Sequence, residues 1–265
     1  MNISVIIPMY NSSKTIINTL DSVKNQTAFN EIFEIIVVND GSLDNSLSIV
    51  EKYYEANSFM PIKIIDQSNS GVSVARNNGM KLAKGHWIAL LDSDDDWLPN
   101  KIQMQIDIIK LNPKIDFLGG DIDDRGLQIL FKRVKGLYKA SIKDICLKMF
   151  PQTSAAIFKR SIFEEIGGYD EKQQYAEDGN YFLKICAAYN YYHYPIQMLS
   201  YGGGKPAFGF SGLSANLREM HLGNLKNIRE LMENSLINKH FYLFLKLFYW
   251  GKYFRRILLT KIRKI

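Results

Sequence analysis

The sequence is poor in the residues that define several common protein classes. It has two cysteines among 265 residues, Cys146 and Cys186, too far apart for a local metal-binding motif. A disulfide-stapled fold is therefore excluded, and we expect reduced thiols in a cytoplasmic protein. The opening run ISVIIPMY lacks the basic start and the cleavage site of a secretory signal, so no export is expected.

Two familiar nucleotide-binding motifs are also absent. No G-x-x-x-x-G-K-[ST] sequence occurs, and the GGGK at positions 202–205 lacks both the spacing and the following hydroxyl residue. No G-x-G-x-x-G follows the first apolar run. These absences exclude a P-loop nucleotide hydrolase and argue against a nicotinamide dinucleotide cofactor.

Acidic residues are missing from the end of the chain. Positions 239–265 carry eight Lys or Arg and no Asp or Glu, whereas the preceding residues carry 25 basic and 27 acidic side chains. A nucleic-acid-binding domain needs its basic patch on the folded body, so we expect no nucleic-acid partner. The apolar fraction of 46% and the charged fraction of 23% are typical of a globular chain that buries a sizeable core.

Four apolar runs, each followed by a polar segment, occupy the first hundred residues. The predicted strands lie at 3–7, 34–38, 62–66 and 87–91, and segments with helical spacing follow each of them. Strands that alternate with helices predict an α/β fold with a Rossmann-like, mostly parallel sheet flanked by helices. Ligands of such sheets bind beyond the carboxyl ends of the strands. We therefore expect one site built from the polar segments at 10–11, 39–41, 68–69 and 92–96.

The second half of the chain is less regular. We predict strands at 117–120 and 127–134 around a turn, a strand at 154–158, a glycine-rich loop at 202–212, and helices at 160–166, 180–188 and 213–233. No repeat or low-complexity linker interrupts these segments, so one continuous domain is expected.

The strongest chemical signal is the acidic run LLDSDDDW after the fourth predicted strand. Its four aspartates, Asp92, Asp94, Asp95 and Asp96, repel one another unless a cation lies among them. Hard oxygen ligands in a loop suit Mg²⁺ or Mn²⁺, which take the rest of their ligands from water and substrate phosphates. The alternative is a solvated acidic turn that caps the next helix. The position directly after a buried strand favours the metal.

Three other positions are candidates for nucleotide binding. Asp40 in NDGS either caps a helix or accepts a hydrogen bond from a nucleobase N–H or a ribose hydroxyl. Gly71 precedes a predicted helix and lets backbone N–H groups approach a phosphate, while Arg76 would neutralise a diphosphate.

Two adjacent acids, Glu177 and Asp178, stand at the start of another predicted helix. Acids in the first turn often complement the helix dipole, which is one interpretation. The other is a general base that removes a proton from a hydroxyl group. The sequence alone leaves both open.

In their order and spacing, these segments resemble the bacterial family 2 glycosyltransferases of polysaccharide and O-antigen assembly, which are inverting enzymes of the GT-A fold. The matching segments are SVIIPMYN, EIIVVNDGSLDNS, NSGVSVARNNGM, GHWIALLDSDDDWLPNKI, YAEDGNYFLKI and FGFSGLSANL. The family's D-x-D motif corresponds to Asp92-Ser93-Asp94. The Q-x-x-R-W motif and membrane-spanning helices of processive members are missing from the sequence, which favours transfer of a single sugar.

The resemblance implies a nucleotide-sugar donor, most often UDP-linked, and a GT-A domain over 1–238. Residues 1–98 would bind the nucleotide-sugar and 99–238 the acceptor. The implied nucleotide-sugar-binding residues are Pro8, Tyr10, Asn11, Asp40, Gly71, Arg76, Asp92 and Ser93. Asp94, with Asp92, would ligate Mn²⁺ or Mg²⁺ at the diphosphate. Asp178 would deprotonate the acceptor hydroxyl, which then attacks the anomeric carbon with inversion.

Residues 239–265 form a segment rich in aromatic side chains and interrupted by Lys and Arg. Lys246, Lys252 and Arg255 break any run long enough to span a bilayer. Aromatic and basic side chains together suit the surface of an anionic membrane. We predict a helical tail that associates peripherally with the inner face of the cell membrane, where a lipid-linked saccharide acceptor would lie. The alternative is a terminal helix packed on the domain with a solvated basic face.

Two other functions are considered. A sugar-phosphate nucleotidyltransferase should have a glycine-rich basic loop after the first strand, where this chain has PMYNSS with Lys14 nearby. An inactive scaffold on a transferase fold is disfavoured by the presence of Asp92, Asp94 and Asp178.

Overall fold

The structure is a computed structural model that describes residues 1–200 and 212–263. Its strands are β1 (Ile3–Met9), β2 (Ile32–Asp40), β3 (Ile62–Gln67), β4 (Trp87–Leu90), β5 (Asp96–Trp97), β6 (Phe117–Asp121), β7 (Gln128–Ile129), β8 (Lys132–Arg133), β9 (Tyr138–Lys139), β10 (Ile157–Lys159), β11 (Tyr191–Gln197) and β12 (Leu199–Ser200). Its α-helices are α1 (Ile16–Lys24), α2 (Ser46–Ala56), α3 (Val72–Leu82), α4 (Lys101–Leu111), α5 (Ile142–Leu147), α6 (Arg160–Ile166), α7 (Glu177–Ala188), α8 (Leu217–Glu233) and α9 (Lys239–Arg263).

One eight-stranded sheet forms the centre of the molecule, in the order β3-β2-β1-β4-β10-β6-β11-β9. Strands β3, β2, β1 and β4 pair in parallel, and so do β6 and β11. Strand β10 runs antiparallel between β4 and β6, and β9 is antiparallel at the edge. Every residue of β1 is buried, as expected for a central strand covered on both faces. The predicted α/β fold with a mostly parallel sheet is confirmed.

Helices cover both faces of the sheet and divide the core into two clusters. Successive side chains of a strand point to opposite faces, so Ile6 packs with the cluster beneath α3 and α7, and Ile7 with the cluster beneath α1 and α4. The aromatic rings of Phe117 and Tyr191 stack at 4.0 Å between centroids in the first cluster. This stack joins the first residues of β6 and β11.

The second half departs from the sequence prediction in three places. The segment 127–134 is not one strand beside β6 but a separate hairpin of β7 and β8, with Phe131 at its tip 99% exposed. The strand predicted at 154–158 is instead a 3₁₀ turn (Thr153–Ala155) followed by β10. The helix predicted from 213 begins at Leu217, because the Asn216 side chain accepts the Glu219 N–H there. Apolar content alone had suggested longer regular elements.

The glycine-rich loop predicted at 202–212 lies outside the described residues except for Gly212. The segment FGFSGLSANL is described only from Gly212 onward.

Helix α9 packs along α8 with one of its faces. Leu245 and Tyr249 are buried, and the Tyr249 hydroxyl donates a hydrogen bond of 2.9 Å to the carbonyl of Cys146. The Lys252 ammonium donates to the carbonyl of Leu147 at 3.3 Å. The expectation of a packed terminal helix therefore holds for this face. No helix among the described residues combines the length and apolarity that a membrane span requires.

Candidate active site

The loops after β1 and β2 are joined to each other at the carboxyl edge of the sheet. The Asn11 N–H donates to the Ser42 hydroxyl at 3.0 Å, and its side-chain oxygen accepts from the Leu43 N–H at 2.7 Å. Asn11 has a φ of 51°, in the left-handed region that asparagine tolerates better than most residues. Its side chain therefore fixes the shape of this loop.

Tyr10 and Pro8 stand in different environments beside Asn11. Tyr10 is 47% exposed, so its ring offers a surface on which a base can stack. Pro8 is buried within β1.

A cleft of about 440 Å³ opens at the carboxyl edge of the sheet. It is lined by Asn39, Gly41, Ser42, Leu47, Asp66, Gln67 and Ser68.

Asp40 lies at the end of β2 with its carboxylate turned toward the start of α3. One carboxylate oxygen accepts from the Ser70 N–H and the Gln67 amide, both at 2.8 Å, and the other accepts from the Gly71 N–H at 2.8 Å. Gly71 has a φ of 93°, which a residue with a side chain rarely adopts. Asp40 and Gly71 thus build the loop before α3, and their predicted contacts with a nucleotide stay predictions.

Ser93 ties the acidic loop to the loop after β1. Its hydroxyl lies 2.7 Å from that of Ser12, and its carbonyl accepts from the Thr15 hydroxyl at 2.7 Å. Ser93 is buried by these contacts. Its position between two loops accounts for its place in the site, and direct contact with a ligand remains a prediction.

The four aspartates of the acidic run lie in different surroundings. Asp95 is 1% exposed and accepts hydrogen bonds from the Ser154 hydroxyl at 2.6 Å and the Gln152 amide at 2.8 Å. Asp94 is exposed, and partial burial together with the charge of Asp94 raises the pKa of Asp96. The run therefore contains a buried anchor to the turn before β10, Asp95, an exposed acid, Asp94, and two partly buried acids, Asp92 and Asp96.

Arg76 joins the acidic loop to the start of α7. Its guanidinium lies 2.7 Å from a carboxylate oxygen of Asp92 and 3.1 Å from one of Glu177, and the side chain is 4% exposed. It also lies over the ring of Tyr169, 5.1 Å from the centroid. Burial by itself lowers the pKa of Arg76, but Asp92, Tyr169 and Glu177 outweigh that effect and raise it above its ordinary value. Arg76 therefore stays charged.

The sequence interpretation assigned Arg76 to a diphosphate and did not foresee these two ion pairs. They join residues 16 and 101 positions apart in the chain. No local pattern indicates such a pairing, because it arises only when α3, the loop after β4 and α7 pack together. Contact of Arg76 with a diphosphate stays a prediction.

Glu177 and Asp178 begin α7 directly after Ala176, whose φ of 56° and ψ of 30° are left-handed. Burial, and next the charge of Asp178, raise the pKa of Glu177 to about 7 despite the nearby Arg76. Burial also raises the pKa of Asp178, against the opposing effect of Arg76. Two acids with raised pKa values beside a cation suit proton transfer near neutral pH.

Asp92 and Asp94 are the carboxylates that could hold a divalent cation. Over residues 1–200 and 212–263, no three His, Cys, Asp or Glu side chains gather closely enough to hold a metal ion by themselves. Mg²⁺ is commonly bound by one or two carboxylates together with substrate phosphates, so two carboxylates in a partly exposed loop fit its needs. One oxygen of Asp92 already accepts from Arg76, and ligation of a cation by Asp94 and Asp92 stays a prediction.

The architecture is that of the GT-A transferases, as solved structures of this fold confirm. Staphylococcus aureus TarS (residues 1–349) superposes with a TM-score of 0.70 at 22% identity, over 96% of this chain and 72% of TarS. The mannosyltransferase PcManGT of Pyrobaculum calidifontis, solved with GDP-Man and Mn²⁺, gives a TM-score of 0.69 at 18% identity, over 87% of this chain and 64% of that one. At these identities the likeness shows the fold alone.

The chain belongs to glycosyl transferase family 2, whose sequence model matches residues 4–167. An uncharacterised glycosyltransferase of Rickettsia typhi is 34% identical over 200 residues, which cover 71% of this chain and 60% of the relative. Escherichia coli WfgD, a UDP-Glc:alpha-D-GlcNAc-diphosphoundecaprenol beta-1,3-glucosyltransferase, is 37% identical over 122 residues, 46% of each chain. A Haemophilus influenzae relative, 27% identical, is matched over 65% of its length. The chain thus spans less than two thirds of these curated relatives.

Proposed function

We propose that this chain is an inverting, non-processive glycosyltransferase. It moves one sugar from a UDP-sugar to a hydroxyl of a lipid-linked saccharide in the assembly of a cell-surface polysaccharide. The observation that carries the proposal is the buried bridge from Asp92 through Arg76 to Glu177, which brings the D-x-D loop next to the acid pair of α7. In this proposal, Asp92 on the donor side and Asp178 on the acceptor side act on the same sugar ring.

The donor class is supported by the site and by the comparisons. Tyr10 offers an exposed ring for the base, and the loops fixed by Asn11 and Asp40 border the nucleotide half. TarS has been solved with UDP and with UDP-GlcNAc. Asp94 and Asp92 would hold Mn²⁺ or Mg²⁺, which when bound neutralises the departing diphosphate. The acceptor class is supported by WfgD, whose name specifies a diphosphoundecaprenol-linked saccharide.

Asp178 is the proposed general base. Its carboxylate takes the proton of the acceptor hydroxyl while that oxygen attacks the anomeric carbon, and the nucleoside diphosphate leaves from the opposite face. One displacement inverts the centre, so an α-linked donor gives a β-glycoside and no covalent sugar–enzyme intermediate forms. Glu177, bonded to Arg76, orients the start of α7 and keeps a second carboxyl near the reacting groups.

We further propose that α9 seats the enzyme on the cytoplasmic face of the cell membrane. Its outer face carries exposed apolar side chains at helical spacing, namely Leu243, Leu247, Trp250, Phe254, Leu258 and Ile262. These residues span roughly 30 Å at 1.5 Å per residue. A helix that only packs on its domain normally turns polar side chains outward.

The charges of α9 support the same proposal. Lys246 and Arg255 flank the apolar face, and residues 239–265 contain no Asp or Glu. Basic residues beside an apolar face favour an anionic bilayer surface. This arrangement supports peripheral binding, with the opposite face of α9 packed on α8.

A donor screen tests the proposed reaction. Thermal stability and diphosphate release would be measured with UDP-, GDP- and dTDP-sugars and with the corresponding nucleoside triphosphates, each with Mn²⁺, Mg²⁺ or EDTA. A ligand at 100 times its Kd stabilises the fold by about 2.7 kcal/mol, which is readily seen. We expect cation-dependent stabilisation by a UDP-sugar and slow release of UDP. Stabilisation by a nucleoside triphosphate instead would favour a nucleotidyltransferase, and no response to any nucleotide would favour an inactive scaffold.

A further inference from the structure

The turn that carries the two acids of α7 is conformationally demanding. Ala176 adopts left-handed dihedral angles although it has a side chain, and it is buried directly before Glu177. A residue persists in that region only when its surroundings hold it there. The support must come from groups that contact the Ala176 backbone.

Helix α8 provides that support through the buried amide of Asn227. Its Nδ2 donates to the Ala176 carbonyl at 2.9 Å, and its Oδ1 accepts from Gln173 at 2.8 Å and from Asn180 at 3.2 Å. Gln173 itself donates to the Ala176 carbonyl at 3.2 Å. One side chain thus connects the residues before the turn, the turn itself and the first turn of α7.

Gly223, one helical turn before Asn227, allows α8 to lie against the same segment. A Cβ atom at position 223 would stand 2.3 Å from the Tyr175 carbonyl oxygen and 3.3 Å from the Ala176 Cβ. The backbone of α8 therefore touches the backbone of the turn without any intervening side chain. The Gly223 contact lies at the Tyr175 carbonyl and the Asn227 hydrogen bond at the Ala176 carbonyl, so α8 contacts two successive carbonyl groups of the turn.

We propose that Asn227 is a positioning residue that aims the carboxylates of Glu177 and Asp178 at the acceptor hydroxyl. The inference rests on the proposed transferase function and adds a requirement to it: the base is aligned from α8, a helix outside residues 4–167 that the family model covers. Asn227 does not touch the reacting atoms. Its effect passes through the Ala176 carbonyl.

The test compares Asn227→Ala with Asn224→Ala. Asn224 lies on the same helix, but its amide donates to the Met220 carbonyl within α8 and does not reach the turn. For Asn227→Ala we expect kcat to fall by roughly 10- to 100-fold, because small misplacements of catalytic groups are costly. The Kd for the donor should stay within about twofold, and Asn224→Ala should alter neither quantity.

A second readout needs no turnover. The carboxyl ¹³C chemical shifts of Glu177 and Asp178 would be followed by NMR as a function of pH in wild type and in Asn227→Ala. The charged neighbours of the pair, Arg76 and Asp92, are the same in both proteins. Loosening of the turn admits water, so the midpoints should move toward ordinary carboxyl values. Gln173→Ala, which removes the other amide at the Ala176 carbonyl, should give the same shift if Asn227→Ala folds poorly.

The outcomes separate the two proposals. A wild-type protein that binds no nucleotide and transfers no sugar refutes the proposed function, while a shifted titration would still support positioning by Asn227. An active wild type whose Asn227→Ala and Gln173→Ala variants keep both kcat and the wild-type titration midpoints overturns the positioning role. Equal losses in kcat and donor binding, with a lowered melting temperature, would also overturn it in favour of a general effect on folding.

Discussion

The guanidinium of Arg76 lies 2.7 Å from the Asp92 carboxylate, and this contact links the first half of the chain to the second through Glu177. A guanidinium can bond two carboxylates with separate N–H groups, whereas a lysine ammonium is a single point charge. The bridge therefore depends on the shape of arginine as well as on its charge.

Arg76→Gln should destabilise the fold by about 3–5 kcal/mol, because it leaves two partly buried carboxylates without their cation. Urea denaturation at pH 7 measures the loss. Arg218→Gln removes an exposed arginine that pairs with its neighbour Glu219, and it should change stability by less than about 1 kcal/mol. Equal effects of the two substitutions would show that the Arg76 bridge contributes no more than a surface pair.

Asp178→Asn should lower kcat by roughly 10²- to 10⁴-fold, which corresponds to about 3–5 kcal/mol of transition-state stabilisation. Donor binding should persist, because the proposed role of Asp178 concerns the acceptor. Steady-state kinetics and donor titration separate the two effects. The control is Asp107→Asn on α4, which changes an acid that accepts a hydrogen bond from nearby Gln103, and it should retain full activity. Full activity of Asp178→Asn would show that another residue is the general base.

Glu177 makes stability depend on pH in a defined direction. Its pKa rises from 4.5 to about 7 on folding, mainly through burial. Between those values the folded state keeps a proton that the unfolded state has released, so stability falls as pH rises and then levels off above pH 7. Glu177→Gln should remove part of this fall, on the order of 1–3 kcal/mol. Denaturation at pH 5 and pH 8 measures it, and an unchanged difference between those pH values would contradict the raised pKa.

Asp94 and Asp95 are neighbours with different predicted roles. Asp94→Asn should abolish cation-dependent stabilisation by the donor and leave the melting temperature of the free protein unchanged, because the side chain is exposed. Asp95→Asn should instead cost about 1–3 kcal/mol of folding free energy, because it disturbs buried hydrogen bonds to Ser154 and Gln152. Thermal shift with and without EDTA distinguishes them. The reverse pattern would mean that Asp95 binds the cation and that Asp94 stabilises the fold.

The outer face of α9 should determine membrane binding. A triple variant, Leu247→Ser, Phe254→Ser and Leu258→Ser, should reduce sedimentation with phosphatidylglycerol vesicles at least about tenfold, because each buried apolar side chain is worth roughly 1.5–3 kcal/mol. Folding should persist, since these side chains are exposed and the packed face keeps Leu245 and Tyr249.

The matched control for the membrane experiment changes three exposed apolar residues elsewhere, Leu43, Leu111 and Phe131, to serine. It should bind vesicles as the wild type does. Equal loss in both variants would mean that general surface hydrophobicity, and not α9, holds the protein on lipid.

The regular part of the fold was predictable because its signals are local. The runs at β1 and β2 are apolar and β-branched, and burial on both faces of a parallel sheet requires that composition. The polar strand ends then had to share one edge. The hairpin of β7 and β8 was missed because its apolar residues, including exposed Phe131, resemble those of a buried strand.

The residue types of the candidate site were predictable from the sequence, but the contacts between those residues were not. The acidic run could not reveal that Asp95 alone is the buried anchor, because its partner Ser154 lies 59 positions away. The basic tail allowed two interpretations, packing on the domain or facing a membrane, and α9 has a packed face and an exposed apolar face. Only the tertiary arrangement assigns each side chain to its face.

The antiparallel strand β10 has a consequence for synthesis of the chain. Strands β1 to β4 emerge from the ribosome before β10, and β4 presents an unpaired edge until Ile157–Lys159 arrives to cover it. Open strand edges are where nascent chains associate with one another. A truncated product ending near residue 98 would contain the nucleotide-side loops yet expose this edge permanently, so translation past β10 protects the newly made enzyme from aggregation.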